Sequence, residues 1–300
     1  MSARFDELMR SAEAAFTRDD FEGSAALYAE AVEEARESGD QDSADRAFCS
    51  HCSVLVELDR GADQIPKLKE ILLRSGNTKI RFHAAYCTAV AYDVSGETDK
   101  AQGYADRAAG FAAEIGDAVS ASRSLNLVGN LSIRGSNFTE AESAFSKSLK
   151  AHEELEGHHR MTEAQVRDNL GYVMMCTDRL HEGIELCESA RSDLERLNAD
   201  HYLYETLQDL CYGHLLADNL NRARECGEKA LDLAIDFEDD QVAKNCLFLL
   251  SETAVRHGDT FRARRYLREL TAYYPEVGIS EEIIDVFLST DLTSVVNLRG

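Results

Sequence analysis

The sequence predicts an all-α protein, a right-handed α-solenoid of about seven helical hairpins closed by a C-terminal capping helix. Three observations carry that expectation. With 2 Pro and 18 Gly in 300 residues, there is little to interrupt long helices. Small residues recur in one column, Ser24, Ala101, Ala141, Gly183, Ala223 and Ala263, to which a weaker copy contributes Ile65, and with it the successive intervals are 41, 36, 40, 42, 40 and 40 residues. Around that column, apolar residues fall at helical spacing, as in Ala141, Ala144, Phe145, Ser148 and Leu149.

Two further columns run at fixed offsets. Seven residues after the first lie Ala31, Leu72, Ala108, Ser148, Ala190, Ala230 and Leu270, and twelve before it lie Ala12, Ser53, Ala89, Gly129, Gly171, Cys211 and Ser251. The columns are mostly small, with apolar Leu72 and Leu270 among them, and small side chains let the two helices of a hairpin, and then the next hairpin, approach closely. The unit is therefore an antiparallel helix pair, and the columns place units at about 1–40, 41–77, 78–117, 118–158, 159–199, 200–239 and 240–276.

Taken in order, the first unit opens its second helix with DDFEGSAALYAEAV from Asp19, capped by Asp20. The second carries a weaker copy, GADQIPKLKEILL, with Pro66 inside the expected second helix. The third, GETDKAQGYADRAA, opens at Gly96, and the fourth, SNFTEAESAFSKSL, follows Gly135 with Asn137 as its cap. The fifth and sixth read DRLHEGIELCESAR and NLNRARECGEKAL. The seventh, GDTFRARRYLREL, has Gly258 and Asp259 at its start. Residues 277–300 change character: Ile283, Ile284, Phe287 and Leu288 form an amphipathic helix suited to cover the open end of the array, followed by an apolar tail.

These columns resemble the tetratricopeptide repeat family, with Tyr28 and Phe145 at its aromatic place and Pro275 closing the seventh unit. The period exceeds the family's usual 34 residues, and the family tryptophan is missing because the chain has no Trp. Longer repeats of this kind are similar to those of kinesin light chains and of Rap-type peptide-sensing regulators. The resemblance implies a concave groove, lined by the first helix of each pair, that holds a peptide or helix of another protein.

Carried onto this sequence, the family's groove offsets fall on Asn126, Asn130 and Asn169, amides that offer both donor and acceptor to a peptide backbone. Arg123, Arg134, Gln165, Tyr172, Gln208 and Tyr212 share the expected face. The family's clamp for a peptide carboxylate needs Lys or Arg where this chain has Glu205 and Asp209, so that clamp is not expected. Arg256, Arg262, Arg264, Arg265 and Arg268 form a candidate patch for an acidic partner. The run LTSVVNLRG resembles the opening of diguanylate cyclase (GGDEF) domains at Leu292, Thr293, Asn297 and Arg299, with Thr290 replacing the family's Asp. That resemblance implies a sensory or scaffolding half of a signalling protein.

Other classes are disfavoured. A formal charge of −23, from 32 basic and 55 acidic residues, opposes nucleic acid and anionic lipid. No signal peptide or 18-residue apolar run is read, so a cytoplasmic protein with eight free thiols is expected. Cys49, His51 and Cys52 invite a zinc reading, but both cysteines fall at inward repeat positions. His152, His158 and His159 do not have the H-E-x-x-H order of a metal helix. No catalytic residue, cofactor or metal is expected. The leading expectation is a non-catalytic scaffold for a protein or peptide partner, with self-association as a second option. The alternative is a ligand- or peptide-sensing regulatory module, although no helix-turn-helix is present to act on DNA.

Overall fold

The structure, a computed structural model, describes residues 2–18, 20–58, 60–153, 160–275, 281–291, 293 and 297–299. Among them every regular element is helical. The chain divides into two compact units, one of residues 1–135 and 150–154, the other of residues 136–149 and 155–300.

The first unit contains α1 (Ala3–Phe16), α2 (Phe21–Glu37), α3 (Gln41–Glu57), α4 (Ile65–Arg74), α5 (Thr78–Val94), α6 (Thr98–Ile115) and α7 (Ala118–Arg134). Asp20, Asp40 and Asp117 cap α2, α3 and α7 by accepting the backbone N–H three residues on, which satisfies donors that a helix start leaves orphaned. Pro66 does not interrupt a helix. Helix α4 begins at Ile65, so the proline stands in the first turn, where its missing N–H has no intrahelical partner to lose. A 3-10 turn, Ala62–Gln64, leads into it. The core gathers Phe82, Leu68, Ile71 and Ile80 with Cys49, Cys52 and Cys87, all buried. Cys49 and Cys52 thus act as small hydrophobes, and burial pushes both thiols up.

The second unit contains most of α8 (Phe138–Glu153) and then α9 (Arg160–Cys176), α10 (Leu180–Leu197), α11 (Asp200–Leu216), α12 (Leu220–Asp236), α13 (Asp240–Arg256), α14 (Thr260–Thr271) and α15 (Glu281–Ser289). Consecutive helices from α9 to α14 pack as antiparallel neighbours, and the first helices α9, α11 and α13 also touch one another. Ala223 and Ala263 of the first column, and Ala190 and Ala230 of the second, are fully buried. At the α9–α10 crossing even a methyl is too large. A Cβ on Gly183 would stand 2.5 Å from the Gly171 carbonyl oxygen, and one on Gly171 would stand 2.6 Å from Cys187 Sγ.

The turn inside each of five successive hairpins contains one residue with a left-handed backbone: Gly96, Ser136, Asp178, Asp218 and Gly258, spaced 40 to 42 residues apart. The backbone therefore keeps the period of the small-residue columns. Helix α15 lies against α14, with Arg264 and Arg268 paired to Glu281 at 3.1 and 2.9 Å, the placement expected of a cap.

Candidate functional site

The most elaborate polar cluster among the described residues lies where α9, α11 and α13 run side by side. Its columns follow the 40-residue period: Gln165, Glu205 and Asn245 form one, Asn169 and Asp209 another, and Tyr172, Tyr212 and Glu252 a third. On α9, Asp168, Asn169 and Tyr172 share one face because residues four apart are helix neighbours. Gly171 points instead to α10, which allows the close crossing just described. Asn169, Tyr172, Gln208, Asp209 and Tyr212 are all buried, and the two tyrosine rings lie 6.1 Å apart.

The chain's own 297–299 segment lies against this cluster, with contacts to Asn169, Tyr172 and Asp209. The Leu298 N–H donates to Tyr172 Oη at 3.1 Å, and Tyr172 O–H donates to Asn297 Oδ1 at 2.9 Å. Asn245 Nδ2 donates to the Leu298 carbonyl at 2.8 Å and to Gln208 Oε1 at 3.0 Å. One amide is thus satisfied by both a peptide backbone and the neighbouring helix. Arg299 reaches deepest. Its Nη2 donates to Asp168 Oδ2 at 2.7 Å and also to Asp209, its Nη1 donates to Asn169 Oδ1, and its guanidinium lies 5.1 Å from the Tyr172 ring centre. Upstream, Arg256 donates to Asp291 at 3.1 Å, to Thr293 Oγ1 at 2.9 Å and to the Leu215 carbonyl at 3.0 Å, fixing where the segment enters.

Burial lifts the Asp209 carboxyl above the usual carboxylate range, against the pull of the Arg299 charge, while the neighbouring Asp168 pushes it further up. Burial opposes charge on Arg299, but Asp209 and Asp168 hold it protonated. Burial also lifts Glu252 to about 7, with Asp291 reinforcing the shift and Arg256 opposing it. An acid raised on folding favours the folded state while it is protonated. That contribution is fully present below the ordinary value of 4.5 and is lost as pH rises through about 7. Glu252→Gln should therefore leave stability close to wild type at pH 4 and raise it by about 2 kcal/mol at pH 8 in urea titrations. A gain of equal size at both pH values would contradict this.

The residues expected to line a groove divide between the two units. Asn169, Tyr172, Gln208 and Tyr212 come together here, and Gln165 lies half-buried on α9. Arg123, Asn126, Asn130 and Arg134 stand on α7 of the first unit. There Arg123 lies over Tyr86 at 4.8 Å, Arg134 pairs with Asp93, and the two asparagines are half-buried. The five arginines read as an acidic-partner patch each have an acid of the chain beside them. Arg256 meets Asp291, Arg262 meets Asp259, Arg264 meets Glu281 and Asp285, Arg265 meets Glu269, and Arg268 meets Glu281.

Sequence reasoning missed Asp168, Asp209, Asn245 and Arg299 as partners. The signal was present: acids at the offsets where a carboxylate clamp needs bases, and one arginine in a well-patterned apolar tail. His158, His159 and Leu292 lie outside the described residues. No helix among the described residues is long and apolar enough to cross a membrane.

No protein-family model matches the sequence, and no curated protein matches it. Solved structures do match. The apo form of RapI superposes with a TM-score of 0.67 at 12% identity, covering 98% of this chain and 85% of that one. NprR, in complex with its cognate peptide NprX, gives 0.68 at 10% identity, covering 96% and 83%. A STAND signal-transduction ATPase with a tetratricopeptide repeat sensor, from Pyrococcus horikoshii, gives 0.65 at 17% identity, covering 93% of this chain and 44% of its own. The chain thus has the stacked-hairpin fold of tetratricopeptide repeat proteins.

Proposed function

We propose that this chain is a non-catalytic interaction module that holds an extended segment of a partner protein across α9, α11 and α13. The observation that supports this is the seating of Leu298, whose backbone N–H and C=O are bound by the Tyr172 hydroxyl and the Asn245 amide. Side chains that bind main-chain groups accept many sequences, whereas the pockets between them select side chains. The likeness to NprR, which was solved with its cognate peptide, adds support from the fold.

No catalytic role is assigned, for physical reasons. Burial pushes up the thiols of Cys49, Cys52, Cys187 and Cys211, which makes them poor nucleophiles. Asp168 and Asp209 are both engaged by Arg299 in a charge-paired arrangement. The charge of −23 favours a neutral or basic peptide over nucleic acid. Eight free cysteines suit the cytoplasm.

A random peptide library displayed against the full chain tests the proposal, with the Tyr172→Phe/Asn245→Ala double variant as counter-target. Two main-chain hydrogen bonds at about 0.5–1.5 kcal/mol each predict selected peptides that bind the variant about tenfold more weakly. Peptides that bind both chains equally would overturn the assignment.

A further inference from the structure

We infer that Asp168, Asn169, Asp209 and the Tyr172 ring form a pocket for an arginine side chain, that Arg299 fills it from within the chain, and that partner segments present an arginine and must displace residues 297–299. The inference rests on the groove reading above and adds the ligand's chemistry.

Two carboxylates this deep are costly in isolation, since Asp168 and Asp209 are 3% and 0% exposed. A single cation between them offsets that cost. The shape of the pocket favours guanidinium over ammonium. It has acceptors on three residues, Asp168, Asp209 and Asn169, disposed around the fork of one planar group, and an aromatic face at 5.1 Å for that plane. A lysine would place a compact, strongly hydrated charge there and lose the ring contact. Asp168 Oδ1, buried, has no hydrogen-bond partner among the described residues, so the pocket keeps an acceptor in reserve.

The occupant is held as a ligand would be. Residues 297–299 meet the helices through individual polar contacts from Tyr172, Asn245, Asp168, Asn169 and Asp209. They belong to no helix of their own. Tethering gives such a segment an effective concentration of about 1 mM. An occupant with an intrinsic Kd of about 10 µM would then weaken an outside competitor on the order of 100-fold. The cis segment is accordingly both a model of the partner and a threshold that the partner must exceed.

The probe is a fluorescein-labelled, amidated nonapeptide with the sequence of residues 291–299, made also with its arginine replaced by lysine or by alanine. Anisotropy titrations use the full chain as wild type, R299A and R299A/D209N, with far-UV circular dichroism confirming helicity. Arg299→Gln takes the place of R299A if that variant melts early. The arginine peptide should bind R299A at least tenfold more tightly than wild type. On R299A the alanine peptide should bind at least 30-fold more weakly than the arginine peptide, with lysine between them, and D209N should erase most of that difference. Equal binding of the arginine and alanine peptides to R299A would overturn the arginine pocket and leave the groove standing. Equal binding of the arginine peptide to wild type and R299A would overturn occupation in cis. If the peptide binds no chain, the pocket falls; if the display selection also yields nothing, the groove falls with it.

Discussion

Valine at position 183 is expected to destabilise the second unit by about 4 kcal/mol, because the new side chain meets backbone that cannot move aside. The Gly171 carbonyl oxygen and Met175 Cγ both lie 2.5 Å from where its Cβ would stand. One α9 carbonyl would have to shift, and with it the helix that carries Asp168, Asn169 and Tyr172. The same column holds alanine at positions 141, 223 and 263, each fully buried, so a methyl is accommodated in other hairpins and excluded from this one. Gly183→Ala should therefore already lower the urea midpoint, and Gly183→Val should lower it further and weaken any peptide bound on α9. An unchanged midpoint for Gly183→Val would mean that the α9–α10 crossing is looser than drawn.

Phe82→Ala should cost about 3–5 kcal/mol, the range for removing a buried aromatic ring. Phe82 is 1% exposed and packs in a cluster with Leu68, Ile71, Ile80, Cys49 and Cys87. Because stacked repeats draw their stability from nearest neighbours, the loss should be local. Hydrogen exchange should show α3 to α6 opening far more often while α9 to α13 keep their protection. A uniform rise in exchange along the whole chain would show that the array unfolds as one cooperative block, against this expectation.

The hairpins could be read in the sequence because their packing imposes a repeated steric rule. Whatever sits at Ala101, Ala141, Ala223 or Ala263 must be small, and a rule repeated at 40-residue intervals stands out from one sequence. The caps were legible for a similar reason, since Asp20 and Asp259 each satisfy a local backbone donor three residues away. Pro66 lies inside the second helix as expected, but in its first turn, because the short α4 begins later in its unit than the columns suggest.

The polar site obeyed no such rule. Offsets from the columns identify which face Asn169 and Tyr172 share, but they say nothing about what covers that face. The partner of Asp209 is 90 residues away in sequence, and the pairing of Arg299 with Asp168 spans 131. No periodicity encodes contacts of that range. Asp209 counted in the sequence against one kind of ligand, a carboxylate; the fold shows the same charge holding a cation.

The left-handed turn residues have a consequence for how such a chain can drift. Glycine occupies that position at Gly96 and Gly258, yet Ser136, Asp178 and Asp218 adopt the same backbone sign at a steric penalty of roughly 1 kcal/mol each. The loop conformation is thus dictated by the helices on either side and not by the residue at its apex. Mutation can erase nearly every recognisable letter of these loops, one small penalty at a time, while the chain keeps count.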